Sequence, residues 1–196
     1  SIDRVAAEKA SILAYLADDG LGVIWADSPQ LAKAVRHYPC KLIRFGESPE
    51  ADLRLTGYES VGRHQRFQVN GRLWAEMPMA GRHNAMNALA AIAAAQRFGI
   101  DQADSALALR DFAGEQMRLQ WTSVGAGALI NDAYNANPSS MAAAVDVLAD
   151  AGPARKVFVA GDMLELGPDG PGLHQQLGTA AARKGIDLVI GVGALG

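Results

Sequence analysis

Ala128-Leu129-Ile130-Asn131-Asp132-Ala133-Tyr134-Asn135-Ala136-Asn137-Pro138-Ser139-Ser140-Met141 is the stretch whose reading decides the fold. An apolar run opens it, and Met141, Val145 and Leu148 then recur as one face of a helix. Asn137 and Pro138 read as the N-cap and first position of that helix, since proline lacks the N–H that would go unpaired there. The order is therefore strand, polar crossing, helix, with free helix N–H groups at the strand's carboxyl end. In an open α/β sheet ligands sit at that edge, and a helix N-terminus favours an anion. An ordinary, well-capped βα loop has the same pattern.

Outward from this stretch the α/β pattern continues. Downstream, the apolar runs Val157–Ala160 and Leu188–Ile190 alternate with helical crossovers over 139–150 and 173–184. With Ala128–Ile130 they predict parallel strands in a partial Rossmann-like sheet. Upstream, Gly114-Glu115-Gln116 is the best domain boundary, because the strand–helix–strand pattern restarts after it; the domains are then 1–115 and 116–196. In the first, residues 4–18 place Val5, Ile12, Leu13 and Leu16 on one helical face. Strands at 22–26 and 42–45 enclose a helix over 28–37, a β-α-β spacing that predicts a parallel pair. Short strand-like runs fill 52–77, and Val69-Asn70-Gly71-Arg72 predicts a type I′ hairpin turn in an antiparallel extension. Helices follow over 84–98, closed by Gly99, and over 102–112.

Of the 196 residues 49% are apolar, which is ample for a core. The net charge of −3, without a Lys/Arg cluster, argues against a nucleic-acid partner. Cys40 is the single cysteine, so no disulfide forms within the chain, which suits a reducing cytoplasm. No apolar run has membrane-spanning length. Ser1 and Gly196 read as ends inside a longer polypeptide.

Three strings carry a resemblance. Asp132-Ala133-Tyr134-Asn135-Ala136-Asn137-Pro138-Ser139-Ser140-Met141 is similar to the D-x-Y-N-A-N-P-x-x-M signature of the Mur ligases. Gly161-Asp162-Met163-Leu164-Glu165-Leu166-Gly167 resembles the G-D-M-x-E-L-G of the branch that adds D-alanyl-D-alanine, and Gly81-Arg82-His83-Asn84-Ala85-Met86-Asn87 the wider family's G-x-H-N-x-x-N. Their order and spread over about half of the chain make the signal specific. The resemblance implies the later part of a P-loop-type, ATP-binding central domain, then the first part of a C-terminal ligase domain. It also implies an activity in peptidoglycan precursor synthesis: ATP and Mg2+ activate the carboxylate of UDP-MurNAc-tripeptide as an acyl phosphate, which the amine of D-Ala-D-Ala attacks. A cytoplasmic monomer is expected.

Each candidate residue has a plain alternative. Asn84 and Asn87 lie on one side of a helix's first turn, where carboxamides match the edge of adenine; otherwise Asn84 is the N-cap. The resemblance favours adenine. His83 is equally a structural residue or a ligand contact. Lys9 falls in the Val5–Leu16 apolar stripe, where its stem packs while its ammonium reaches water. Ala6-Ala7-Glu8-Lys9 resembles the family's helix with a carbamylated lysine, and this implies a carbamate facing magnesium. Arg118 clamps a phosphate when domains close, or makes a surface ion pair; Met117 stands where the family has glycine. The resemblance gives Asp132 the ribose hydroxyls. It lines the reaction cleft with Tyr134, Asn135 and Asn137, without separate roles. Asp162 and Glu165 hold an ammonium group or cap a turn, and His174 is a helix-start residue nearby.

Gly191-Val192-Gly193-Ala194-Leu195-Gly196 formally reads G-x-G-x-x-G after a strand but reads better as a glycine-rich strand exit. The chain contains no G-x-x-x-x-G-K-[ST], so these residues alone are expected to be inactive. The rivals are the third-residue-adding ligase, whose D-Y-A-H differs from Asp132-Ala133-Tyr134-Asn135, a non-catalytic nucleotide-binding module, and a dinucleotide-dependent oxidoreductase using the glycine run.

Overall fold

The computed structural model describes residues 1–195. The chain divides into two units. One comprises Ser1–Glu59, Arg66–Glu76 and His83–Asp111; the other comprises Ser60–Gln65, Met77–Arg82 and the chain from Phe112 onward.

β1 (Leu21–Trp25) and β2 (Lys41–Gly46) pair in parallel, from Leu21 opposite Lys41 to Trp25 opposite Phe45. α2 (Pro29–Ala34) forms the crossover; the Ser28 hydroxyl caps it by accepting the Leu31 N–H at 3.2 Å. β3 (Leu53–Val61) joins β2 in parallel, and β4 (His64–Val69) and β5 (Leu73–Met77) complete the order β1-β2-β3-β4-β5. The two- and three-residue links among β3, β4 and β5 suit only antiparallel neighbours. At the second link the Arg72 N–H meets the Val69 carbonyl at 3.1 Å, with φ of 54° at Asn70 and 69° at Gly71. This is the left-handed pair a type I′ turn requires, and Asn-Gly adopts it at least cost.

Leu53, Leu55, Phe67, Val69, Ala75 and Met77 are buried at alternate strand positions, as period-two patterning demands. Across the exposed face, the Arg66 Nε donates to Glu59 at 2.6 Å and the guanidinium lies 5.0 Å from the Trp74 ring centroid. The hydrogen bond to the Glu59 carboxylate, helped by its charge, holds Arg66 above its ordinary pKa.

The reading of residues 4–18 as one helix needs correction. α1 covers Ile2–Ala10, and a tighter 3-10 turn follows over Ser11–Tyr15. Ala6, Ala10 and Leu13 are buried, whereas Val5 and Ile12 are 49% and 70% exposed. Small side chains let the helix approach the cluster of Ala10, Leu13, Ile24 and Val35, and the change to three residues per turn moves later positions off the α-helical stripe.

α3 (Arg82–Arg97) buries Ala85, Ala88, Leu89, Ile92 and Ala93 along one face and ends before Gly99, whose φ is 77°. α4 (Gln102–Ala108) is capped by Asp101, which accepts the Asp104 N–H at 2.7 Å.

In the second unit β6 (Gln120–Val124) and β7 (Gly127–Asn131) form an antiparallel hairpin turned at Gly125. The expected parallel membership of Ala128–Ile130 is thus corrected, because its ladder runs to β6. That strand went unread because Gln-Trp-Thr-Ser-Val is largely polar and exposed. After α5 (Pro138–Ala149) come β8 (Val157–Gly161), α6 (Gly170–Arg183) and β9 (Leu188–Val192). β8 and β9 pair in parallel, the Rossmann-like arrangement expected of them. Met141, Val145, Ala160, Met163, Leu177, Ala181 and Ile186 form the core under them. Among the described residues no helix is long and apolar enough to cross a membrane.

Candidate functional site

In the second unit the crossing from β7 to α5 is held by its own side chains. The Asn137 Oδ1 accepts the N–H groups of Ser139 and Ser140 at 3.1 and 2.9 Å, and the Ser140 Oγ accepts the Asn137 N–H at 3.1 Å. This is the cap expected from Asn-Pro, closed into a reciprocal box. The side-chain oxygen of Asn137 is therefore committed to the helix. Asn131 and Asn135 likewise spend their side-chain oxygens locally, on the N–H groups of Ala133 at 3.2 Å and Ala136 at 2.8 Å.

Arg118 stands on a strained turn. Its neighbours Met117 and Leu119 have φ of 57° and 45°, a region that costs a side-chain-bearing residue roughly 1–2 kcal/mol. Hydrogen bonds hold both neighbours there. The Met117 N–H donates to the Gln120 Oε1 at 3.2 Å, the Met117 carbonyl accepts the Tyr134 N–H at 3.1 Å, and the Leu119 N–H donates to the Asp132 Oδ1 at 3.0 Å. Leu119 itself is buried with Ala80 and Val147, which anchors the turn. The Arg118 guanidinium carbon lies 4.1 Å from the Tyr134 ring centroid. Arg118 thus lies against an aromatic ring, and among the described residues it makes no surface ion pair, the alternative weighed for it. Gln120 was missed in the sequence; its position three residues after Met117 was the available signal.

The Asp162 carboxylate accepts the N–H groups of Ala194 and Leu195 at 2.9 and 3.0 Å. Gly193, with φ of 119°, lies so close that an added Cβ would sit 2.4 Å from this carboxylate, so glycine is required. The glycine run is therefore a strand exit clamped by Asp162; its last residue, Gly196, lies outside the described residues. Glu165 is exposed, with φ of 62°. His174 lies inside α6 and bridges two backbone groups. Its Nε2 accepts the Met163 N–H at 2.9 Å, and its Nδ1 lies 2.8 Å from the Gly170 carbonyl oxygen, the partner for an Nδ1 proton.

In the first unit α3 begins at Arg82, so Asn84 is its third residue; the N-cap alternative is overturned. The structure brings the two asparagines together: the Asn87 Nδ2 lies 3.4 Å from the Asn84 Oδ1, a long contact. Asn84 is buried and Asn87 exposed, so only Asn87 presents a carboxamide outward. His83 is exposed. Lys9 departs from its expected place in a packed stripe: its side chain is 73% exposed, 3.9 Å from Glu8. Its neighbours on the proposed stripe, Val5 and Ile12, face outward with it. No cluster of three or more His, Cys, Asp or Glu side chains that could hold a metal occurs among the described residues.

Two family descriptions match the chain, the Mur ligase middle domain over residues 1–95 and the Mur ligase, glutamate ligase domain over residues 117–195. The UDP-N-acetylmuramoyl-tripeptide–D-alanyl-D-alanine ligase of Bacillus subtilis is 35% identical over all of the chain and 43% of its own length. The Escherichia coli enzyme of the same name is 33% identical, over 98% of the chain and 44% of its own length. A crystal structure of MurF from Acinetobacter baumannii superposes with a TM-score of 0.90 at 29% identity, over all of the chain and 43% of that protein. The chain thus spans less than half the length of these relatives.

Proposed function

This chain belongs to the Mur ligase family, and from that premise we propose that it is part of an ATP-dependent ligase joining D-Ala-D-Ala to UDP-MurNAc-tripeptide. The 35% identity to the Bacillus subtilis UDP-N-acetylmuramoyl-tripeptide–D-alanyl-D-alanine ligase over the whole chain is the observation that carries this reading. ATP would supply the activation, converting the tripeptide carboxylate to an acyl phosphate that the amine of the dipeptide attacks.

The chain's own residues divide this work. Arg118, held by its turn and its ring, offers N–H donors to a phosphoryl oxyanion. Asn87 reads the adenine edge, and buried Asn84 orients it; His83 is a further contact on the same turn. Asp132 takes the ribose hydroxyls in addition to holding Leu119. Asn135 and Asn137 form the wall of the amine's approach, with the amide NH2 of Asn137 left for a ligand, and Tyr134 lies beside them against Arg118. Glu165 is the acidic group left for an ammonium, since Asp162 serves the backbone. Lys9, as a carbamate, would give a magnesium ion one ligand, and no step is routed through that ion. The domains run 1–115 and 116–196, and the enzyme works as a cytoplasmic monomer.

The test uses the full-length protein. Phosphate release from ATP should require both UDP-MurNAc-tripeptide and D-Ala-D-Ala. Release driven by a single amino acid, with an acceptor carrying two residues in place of the tripeptide, would move the chain to the third-residue-adding branch. Nucleotide binding without release under any acceptor would favour a non-catalytic module.

A further inference from the structure

Tyr134 is one of the cleft residues the sequence leaves without a separate role, and it is 63% exposed. Three hydrogen bonds fix the backbone around it and around Arg118: Tyr134 N–H to the Met117 carbonyl at 3.1 Å, Leu119 N–H to Asp132 at 3.0 Å, and Met117 N–H to Gln120 at 3.2 Å. Both residues are thereby aimed from anchored Cα positions. The guanidinium meets the ring 4.1 Å from its centroid. Among the described residues Arg118 forms no ion pair with a carboxylate, and the ring face is what meets its charge there.

We propose that Tyr134 is a positioning residue, whose ring holds the Arg118 guanidinium flat so that its N–H edge faces a bidentate oxyanion. Stacking uses the faces of a guanidinium and leaves its edge donors free, and that edge matches two phosphoryl oxygens. The ligand class is a phosphoryl group, and the proposal rests on the ligase reading given above. The phenol hydroxyl has no part in this role, which separates it from a substrate contact.

The experiment compares Tyr134→Phe, Tyr134→Ala and Arg118→Lys in the full-length enzyme. It reads ATP affinity by equilibrium binding, and KM for ATP and for D-Ala-D-Ala. Tyr134→Phe should keep the parent's ATP affinity and KM for ATP, because the stack needs the ring face and not the hydroxyl. Tyr134→Ala should weaken ATP binding and raise its KM about three- to five-fold, the scale of an exposed cation–π contact, while the dipeptide KM stays put. In the Arg118→Lys background, Tyr134→Ala should add nothing further. A phenylalanine variant as impaired as the alanine one, a rise confined to the dipeptide KM, or additive losses would each overturn the proposal. Failure of the ligase reading is seen separately, as a parent enzyme that binds ATP but releases no phosphate with the two substrates. The binding arm still decides the stack in that case.

Discussion

Leu119 donates its backbone N–H to the Asp132 Oδ1 at 3.0 Å, and this bond ties the end of β7 to a turn in which Leu119 has φ of 45°. A carboxylate read in the sequence as a ligand residue is therefore also a brace. The strain it helps to hold lies on both sides of Arg118, as expected where a fold fixes a functional side chain.

Met117→Gly should stabilise the protein. At φ of 57° a methionine carries left-handed strain, and the residue is 40% exposed, so little packing is lost. Relief of roughly 1 kcal/mol is expected, less the greater freedom of glycine in the unfolded chain. Urea denaturation measures it, and a lower midpoint in the glycine variant would refute it.

Asn137→Ala should cost about 1 kcal/mol, the usual value of an N-cap. Asn137→Asp should lose almost none of it, because a carboxylate oxygen accepts the Ser139 and Ser140 N–H groups equally well and suits the helix N-terminus. Thermal melts of the two variants check the pair; equal losses would show that the cap is not what Asn137 contributes.

Asn87→Ala in the full-length enzyme should weaken ATP binding by roughly 1–3 kcal/mol, the scale of a bidentate amide–base contact. Stability should hardly change, since Asn87 is exposed. Asn84→Ala should lower stability as well, because Asn84 is buried and its amide oxygen faces Asn87. A dipeptide KM that rises while ATP binding holds would assign the helix to another ligand.

Lys9→Ala should separate activity from stability. An exposed lysine whose carboxylate neighbour, Glu8, is 3.9 Å away contributes little to folding. Ligation should nevertheless be lost in the full-length enzyme and partly restored by formate or acetate standing in for a carbamate. Full turnover without added acid would leave Lys9 a surface residue.

The local patterns were legible because nearest-neighbour chemistry dictates them. Asn137-Pro138 suits a helix start, Asn70-Gly71 tolerates a double left-handed turn as few pairs do, and the strands between Leu53 and Met77 alternate because a half-buried strand must. The three family strings, being contiguous, were equally open to reading. Tertiary structure decided what depends on partners distant in the chain. Packing chose Ala6 and Ala10 over Val5 and Ile12 as the buried face of α1, and so put Lys9 in water. Pairing with β6 gave β7 an antiparallel neighbour that its own apolar run did not specify. Backbone N–H groups at 194 and 195 claimed the Asp162 carboxylate, and the one at Leu119 claimed an oxygen of Asp132. An acidic side chain's charge is written in the sequence, but its hydrogen-bond partner is set by which donors the fold brings within 3 Å.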